Sequence, residues 1–145
     1  MSSLEIVPPE GTTARALRDG YFFAAARRVG DLLILSGQTG HRLDLSLPET
    51  APEQIEIAFD NVGEILAAAD LTWDEVVSVR SYHVVPAGAD SIPEDSFTAV
   101  HGQLGTRMPN HYPVWSAIPV PALSLRGMLI EVEVTAHASG ELQEA

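Results

Sequence analysis

The chain has no cysteine and no lysine. The first absence excludes disulfides, thiolate nucleophiles and Cys-based metal sites, and leaves no redox signature of a compartment. The second leaves eight arginines against twenty Asp and Glu, a formal net charge of −12. Nucleic acid is held largely by clustered cations that displace counterions from phosphates, and the one adjacent basic pair is Arg27-Arg28, so no nucleic-acid partner is expected. No apolar run approaches the ~20 residues that a membrane span needs. The first eleven residues carry two prolines, two acids and no apolar stretch, unlike a signal peptide. The expectation is a cytoplasmic protein without a membrane partner.

What is present is enough for one compact domain over residues 1–145, with 46% hydrophobic residues to fill its core. Residues 1–20 read as a loosely held lead-in. Apolar runs at Phe22–Arg28 and Leu32–Ser36 flank Val29-Gly30-Asp31 and predict a β-hairpin. Residues 41–50 read as loop. Ile55, Ala58, Phe59, Val62, Ile65, Leu66 and Ala69 recur at helical spacing behind Pro52, which a first turn tolerates, and predict a long helix. Residues 76–85 are dense in β-branched and aromatic side chains and predict a strand. A second helix is expected over about 94–104, with Phe97, Val100 and Leu104 inward and Gly105 as its stop. Pro113 and Pro119 confine the extended segment 112–120 to a short or edge strand. The final strand, 128–136, alternates Ile130, Val132 and Val134 with Glu131, Glu133 and Thr135. This order predicts an α+β fold, a mixed sheet with two helices on one face. The uncovered face is most simply buried against other copies of the chain.

Several segments, in order over about residues 22–137, resemble the Rid (YjgF/YER057c/UK114) family. They are Val29–Gln38 ending in Ser-Gly-Gln, Ala58–Val62 continuing to Val77, Phe97–His101, and Gly127–Glu133. The resemblance implies a chorismate-mutase-like (YjgF-like) fold and a homotrimer with a barrel-like core and clefts between subunits. It further implies hydrolysis of imines and enamines without a cofactor, the substrate carboxylate being held by an Arg in a Pro-x-Arg-[Ser/Thr] segment. Here that segment matches Pro113-Val114-Trp115-Ser116, so Trp115 stands at the Arg position. An indole offers one N–H and a flat apolar face where a guanidinium would pair bidentately with a carboxylate. The family's Tyr-Ser pair falls on Phe23-Ala24, with Tyr21 as the alternative, and an Asn of its second helix falls on His101. Arg107 is the candidate to stand in for the missing Arg.

Each candidate residue has two readings. Glu131 is either a polar residue on an alternating strand or a carboxyl in a part-closed cleft, where burial would raise its pKa and suit it to moving a proton. Trp115 is either a packing aromatic or the stacking wall for a planar ligand. His101 is either a packed side chain or an acid/base group active near neutral pH. Ser36 and Ser116 are expected to make polar contacts to a ligand and Phe23 to wall it; nothing places a base beside Ser36 to make it a nucleophile. No metal site is expected, since His83, His101 and His111 do not fall at ligand spacing. Residues 37–40 lack the Lys and helix of a phosphate loop. The reading that results is a homotrimer that binds a small organic molecule and acts on an imine, enamine or related carbonyl compound, with Glu131 and His101 catalytic. A ligand-binding or protein-interaction trimer that has lost the reaction is its alternative.

Overall fold

The structure, a computed structural model, describes residues 3–138. In chain order the elements are β1 (Leu4–Ile6), α1 (Thr13–Tyr21), β2 (Ala26–Val29), β3 (Leu32–Leu35), β4 (Gln38–Thr39), α2 (Ala51–Ala68), β5 (Val76–Val84), α3 (Glu94–Arg107), β6 (Val114–Val120) and β7 (Ile130–His137). The strands form one mixed sheet in the order β1-β2-β3-β7-β5-β6, with β4 also paired to β7. β5 and β6 run parallel, joined by α3 as the crossover, and the other pairings are antiparallel. This is the α+β sheet-and-helix architecture expected from the sequence.

β7 pairs with β3, β4 and β5 at the centre of the sheet, and its alternation buries one of its faces. Ile130, Val132, Val134 and Ala136 are buried to 2% exposure or less. They meet Leu33 and Leu35 of β3, Val76 and Val79 of β5, the α2 stripe Ile55–Leu66, and Val100 of α3 in one core. The α2 helix begins where its sequence dictates: Thr50 accepts from Glu53 N–H, and Pro52 sits in the first turn, where its missing N–H costs nothing. Gly30 makes the tight turn between Val29 and Leu32, with φ of +59°.

Three expectations need correction. Residues 1–20 are not a loose lead-in: β1 pairs with β2, and α1 is capped by Thr12 and buries Ala14 and Leu17. Among the described residues there are therefore three α-helices rather than two. The α1 signal was present, since Ala14, Leu17 and Tyr21 share one helical face, but so few apolar positions were outweighed by Gly20 and the charges between them. Gly105 does not stop α3, which runs to Arg107 because that side chain is anchored. It bonds Asp60 at 2.6 Å and Gln103 at 2.8 Å, and lies 5.6 Å over the Trp73 ring. The third concerns Phe97, which is 43% exposed and stacks on Trp115 instead of entering the core.

β6 is an edge strand, as its prolines required. The sheet face away from α2 and α3 carries Glu133, Tyr82 and Ser116 together with the exposed Leu32, Ile34 and Val114.

Candidate active site

A cleft of about 340 Å³ opens where β3 bends into β4. Leu17 and Tyr21 of α1 and the following Phe23 form one wall, Ser124, Leu125 and Met128 another, and Ser36, Gly37, Thr39, His41 and Glu131 supply the remaining surface. This volume suits a small ligand enclosed by apolar side chains around a few convergent polar groups. No Arg or Lys lines it. A wider hollow of about 490 Å³ lies beside it between Glu5, Arg18 and Phe22. Its charged groups satisfy one another, Arg18 pairing with Glu5 and Asp19 and Arg27 bonding Ser3, so the hollow offers little to a ligand.

Glu131 is the principal ionisable group. It faces away from the core because it alternates with Ile130 and Val132, and the Thr39 backbone pairs directly with its own. Burial, and then the neighbouring Glu133 charge, push its carboxyl above the ordinary carboxylate range. Among the described residues none of the hydrogen bonds involves that carboxyl; it rests against the Cα of Gly37. A carboxyl that is half-buried, unpaired and inclined to hold its proton is suited to donating a hydrogen bond or a proton to a ligand.

Ser36 has a narrower capability. Its hydroxyl donates to Ala24 O at 2.6 Å, so toward a ligand it can act only as an acceptor. His41 is 5% exposed, and burial lowers its pKa, keeping the imidazole neutral at neutral pH. Its Nδ1 meets Thr39 Oγ1 at 2.5 Å. The loop that carries it is clamped by α2: Asn61 Nδ2 donates to both Thr39 O and His41 O. Gln54 bonds Pro48 O, Gly127 O and Leu129 N–H, and packs where a side chain on Gly40 would stand. The sequence reading missed His41 because it lies in a segment without periodicity.

One chain thus brings Phe23, Ser36 and Glu131 together, with Tyr21 beside Phe23 rather than in its place. It does not bring Trp115, His101 or Ser116 to them. Trp115 pairs in register with Val79, stacks on Phe97 at 5.1 Å, and donates its indole N–H to Ser81 Oγ at 3.0 Å. His101 is exposed on α3, 6.4 Å from the Trp115 ring. Ser116 faces the opposite way from Trp115, paired with Arg80. Nor does Arg107 reach the cleft, being held by Asp60. On the helix side Ser81 continues into a buried chain, its Oγ meeting His83 Nε2 and Ser96 Oγ meeting Nδ1. Both ring nitrogens of His83 are therefore engaged, and His111 Nε2 bonds Val76 O. Among the described residues no cluster of three His, Asp or Glu side chains could hold a metal ion, and no helix is long and apolar enough to cross a membrane.

Fold and cleft together define a small α+β protein with a carboxyl-bearing pocket beside an uncovered sheet face. The profile of the family described as Endoribonuclease L-PSP matches residues 13–138. The chain is 38% identical over 115 residues to the RutC family protein YjgH of Escherichia coli (strain K12), which covers 79% of this chain and 82% of that protein. A solved structure of protein YjgH superposes with a TM-score of 0.77 at 30% identity, covering 94% of this chain and 97% of that one. Rv2704 of Mycobacterium tuberculosis, described as a member of the YjgF/YER057c/UK114 family, shares the fold at a TM-score of 0.71 and 22% identity, covering 94% and 99% of the two chains. The chain belongs to the Rid (YjgF/YER057c/UK114) family.

Proposed function

We propose that the protein is a cytoplasmic homotrimer that binds a small uncharged imine, enamine or related carbonyl compound in the Glu131 cleft and hydrolyses or tautomerises it. The observation that carries this reading is the Glu131 carboxyl, half-buried, raised in pKa and free of partners within the cleft. In its acid form it donates to the imine nitrogen and makes the carbon electrophilic; once ionised it orients or deprotonates water. Phe23, Tyr21 and Leu17 give the ligand its apolar wall, and Ser36 accepts from it. With no Arg or Lys at the cleft, a substrate carboxylate finds no bidentate partner in the chain that holds Glu131. This is why the reading favours uncharged substrates. The trimer is supported by the family and by Leu32, Ile34 and Val114, at 41%, 49% and 69% exposure on the uncovered sheet face. Some relatives are described as endoribonucleases. The net charge of −12 and the lack of lysine weigh against that activity here.

The test is ammonia release from benzophenone imine, an uncharged probe, beside freshly generated 2-iminobutanoate, with parent protein and Glu131→Gln. Faster hydrolysis of the uncharged imine by the parent, lost in the variant, is the expected result. Equal rates for parent, variant and buffer on both probes would leave a non-catalytic binding trimer as the better reading.

A further inference from the structure

We infer that His41 is a second catalytic residue of the cleft, its Nε2 taking the proton of the attacking water while Glu131 gives one to the nitrogen, the two exchanging roles as the adduct breaks down. The inference rests on the hydrolytic reading above and deepens it.

Three observations place the imidazole in the cleft with a usable atom. His41 lines the same cleft as Glu131, and Thr39, whose hydroxyl meets His41 Nδ1, is the cross-strand partner of Glu131. The three side chains therefore belong to one wall. Nε2 makes no hydrogen bond among the described residues, yet it is not sealed away. The one buried side-chain N or O atom without a partner among those residues is Gln38 Oε1. An unpaired Nε2 therefore keeps some exposure, on a ring that borders the cleft. Finally, the ring is held still: Thr39 fixes Nδ1, Asn61 donates to the carbonyls of Thr39 and of His41 itself, and Gly40 packs against Gln54 too tightly for a side chain. A group built to this rigidity is prepared for a defined contact.

The proton balance closes with these two groups alone. Water oxygen bonds to the imine carbon, the C=N pair moves to nitrogen, and nitrogen takes the Glu131 proton while His41 takes one from water. The resulting carbinolamine breaks its C–N bond; the pair leaves with nitrogen, which takes the proton back from His41, and the hydroxyl proton returns to Glu131. Imine and water become carbonyl and ammonia, and both side chains are restored. The working state needs Glu131 protonated and His41 neutral together. Burial acts on both groups in that direction, disfavouring the carboxylate at Glu131 and the imidazolium at His41. The other titratable groups facing the pair are Tyr21 from α1 and Glu133 on β7, the latter in turn bonded by Tyr82 of β5.

The experiment compares parent and His41→Gln on benzophenone imine across pH 4–9. General acid–base catalysis by one group is worth roughly 100-fold or more, so kcat should fall by about that factor with KM changed less than about threefold. The acidic limb of the parent profile, from protonation of His41, should vanish while the alkaline limb, from ionisation of Glu131, remains. Because His41 is buried, Thr39→Val is measured beside it; loss of the hydroxyl frees the ring and should lower kcat without moving KM, and Thr39→Ser should restore it. The ring signals of His41 are also titrated by NMR in parent and Glu131→Gln, where the midpoint should move. An active parent whose rate and profile survive both His41→Gln and Thr39→Val overturns the role of His41 and leaves the hydrolytic reading standing. A parent without activity overturns that reading, and the NMR titration, which needs no substrate, then reports whether the two groups share the cleft. An unmoved His41 midpoint means they do not.

Discussion

The carboxyl of Glu131 occupies the space where a side chain on residue 37 would begin. A Cβ added to Gly37 would stand 2.3 Å from Glu131 Oε2 and 2.7 Å from its Cδ, inside any real contact. Gly37 is thus required by its neighbour's position and not by its own backbone, since its φ is not in the left-handed region. Gly37→Ala should therefore swing the Glu131 side chain out of place at small cost to the fold. The expected outcome is a melting temperature close to that of the parent, with ammonia release from the uncharged imine reduced to near that of Glu131→Gln.

Glu131 also predicts a pH-dependent stability. Its pKa in the fold lies above its unfolded value, so the ionised form is disfavoured by folding. Stability linked to this group is complete below about pH 4.3, the unfolded value, and is lost as pH rises through the folded one. Glu131→Gln removes the charge. The variant should melt above the parent at pH 7.5, and the difference should vanish near pH 4. A variant that melts below the parent at both pH values would show that the carboxylate is held by a stabilising partner.

Much of this was legible in the chain itself. The alternation of Ile130, Val132 and Val134 with Glu131 and Glu133 marked β7 as a strand with one buried face and turned Glu131 away from the core. The α2 stripe and its Pro52 start were equally plain, because burial at 3.6-residue spacing dominates any competing preference over five turns. Strand register is another matter. Tyr82 pairs with Glu131 on one side and Ile118 on the other, which puts positions 114, 116 and 118 of β6 on the Glu131 face and Trp115 on the helix face. A slip of one residue would exchange them, and nothing local in the sequence counts that register across two strand pairings. His41 was hidden for a related reason. Its place is set by bonds from Asn61, twenty residues further on, and by the contact of Gly40 with Gln54.

Trp115→Arg follows from the same register. The indole lies between Phe97 and Ser81 on the helix side, so a guanidinium there would meet a buried hydroxyl and an aromatic ring. The substitution should not confer hydrolysis of 2-iminobutanoate within the cleft of the same chain. It should lower stability by about 1–3 kcal/mol through the lost packing and the lost indole bond to Ser81, which keeps His83 as its partner. At roughly 2–4 °C per kcal/mol for a chain of this size, that is a fall of several degrees in melting temperature.

The buried His83 predicts an acid sensitivity of opposite sign to that of Glu131. Burial lowers its pKa below the unfolded value. Its neutral form bridges Ser81 and Ser96, at 2.8 and 2.6 Å. Stability from this group is present above about pH 6.5 and declines as pH falls below it, because the unfolded chain takes the proton first. His41 contributes in the same direction. Urea midpoints should drop between pH 7.5 and 5.5, and His83→Gln should flatten part of that dependence while lowering the midpoint at pH 7.5.

Asn61→Ala separates the scaffold of the site from its chemistry. The amide of Asn61 is the donor to two carbonyls, Thr39 O at 3.0 Å and His41 O at 3.2 Å, and is itself 2% exposed. Removing it strands two acceptors under α2 and opens a small cavity, a loss of about 1–3 kcal/mol for each acceptor that water cannot reach. The strand and loop it clamps carry both His41 and the backbone that pairs with Glu131, so the damage should extend to function. The variant should fold, melt several degrees lower, and show hydrogen exchange at residues 39–41 accelerated well beyond that of the β7 core. Its kcat should fall while Glu131 and His41 remain chemically intact. An Asn61→Ala protein with lowered stability but parental exchange at 39–41 and parental kcat would mean that the clamp serves the fold alone.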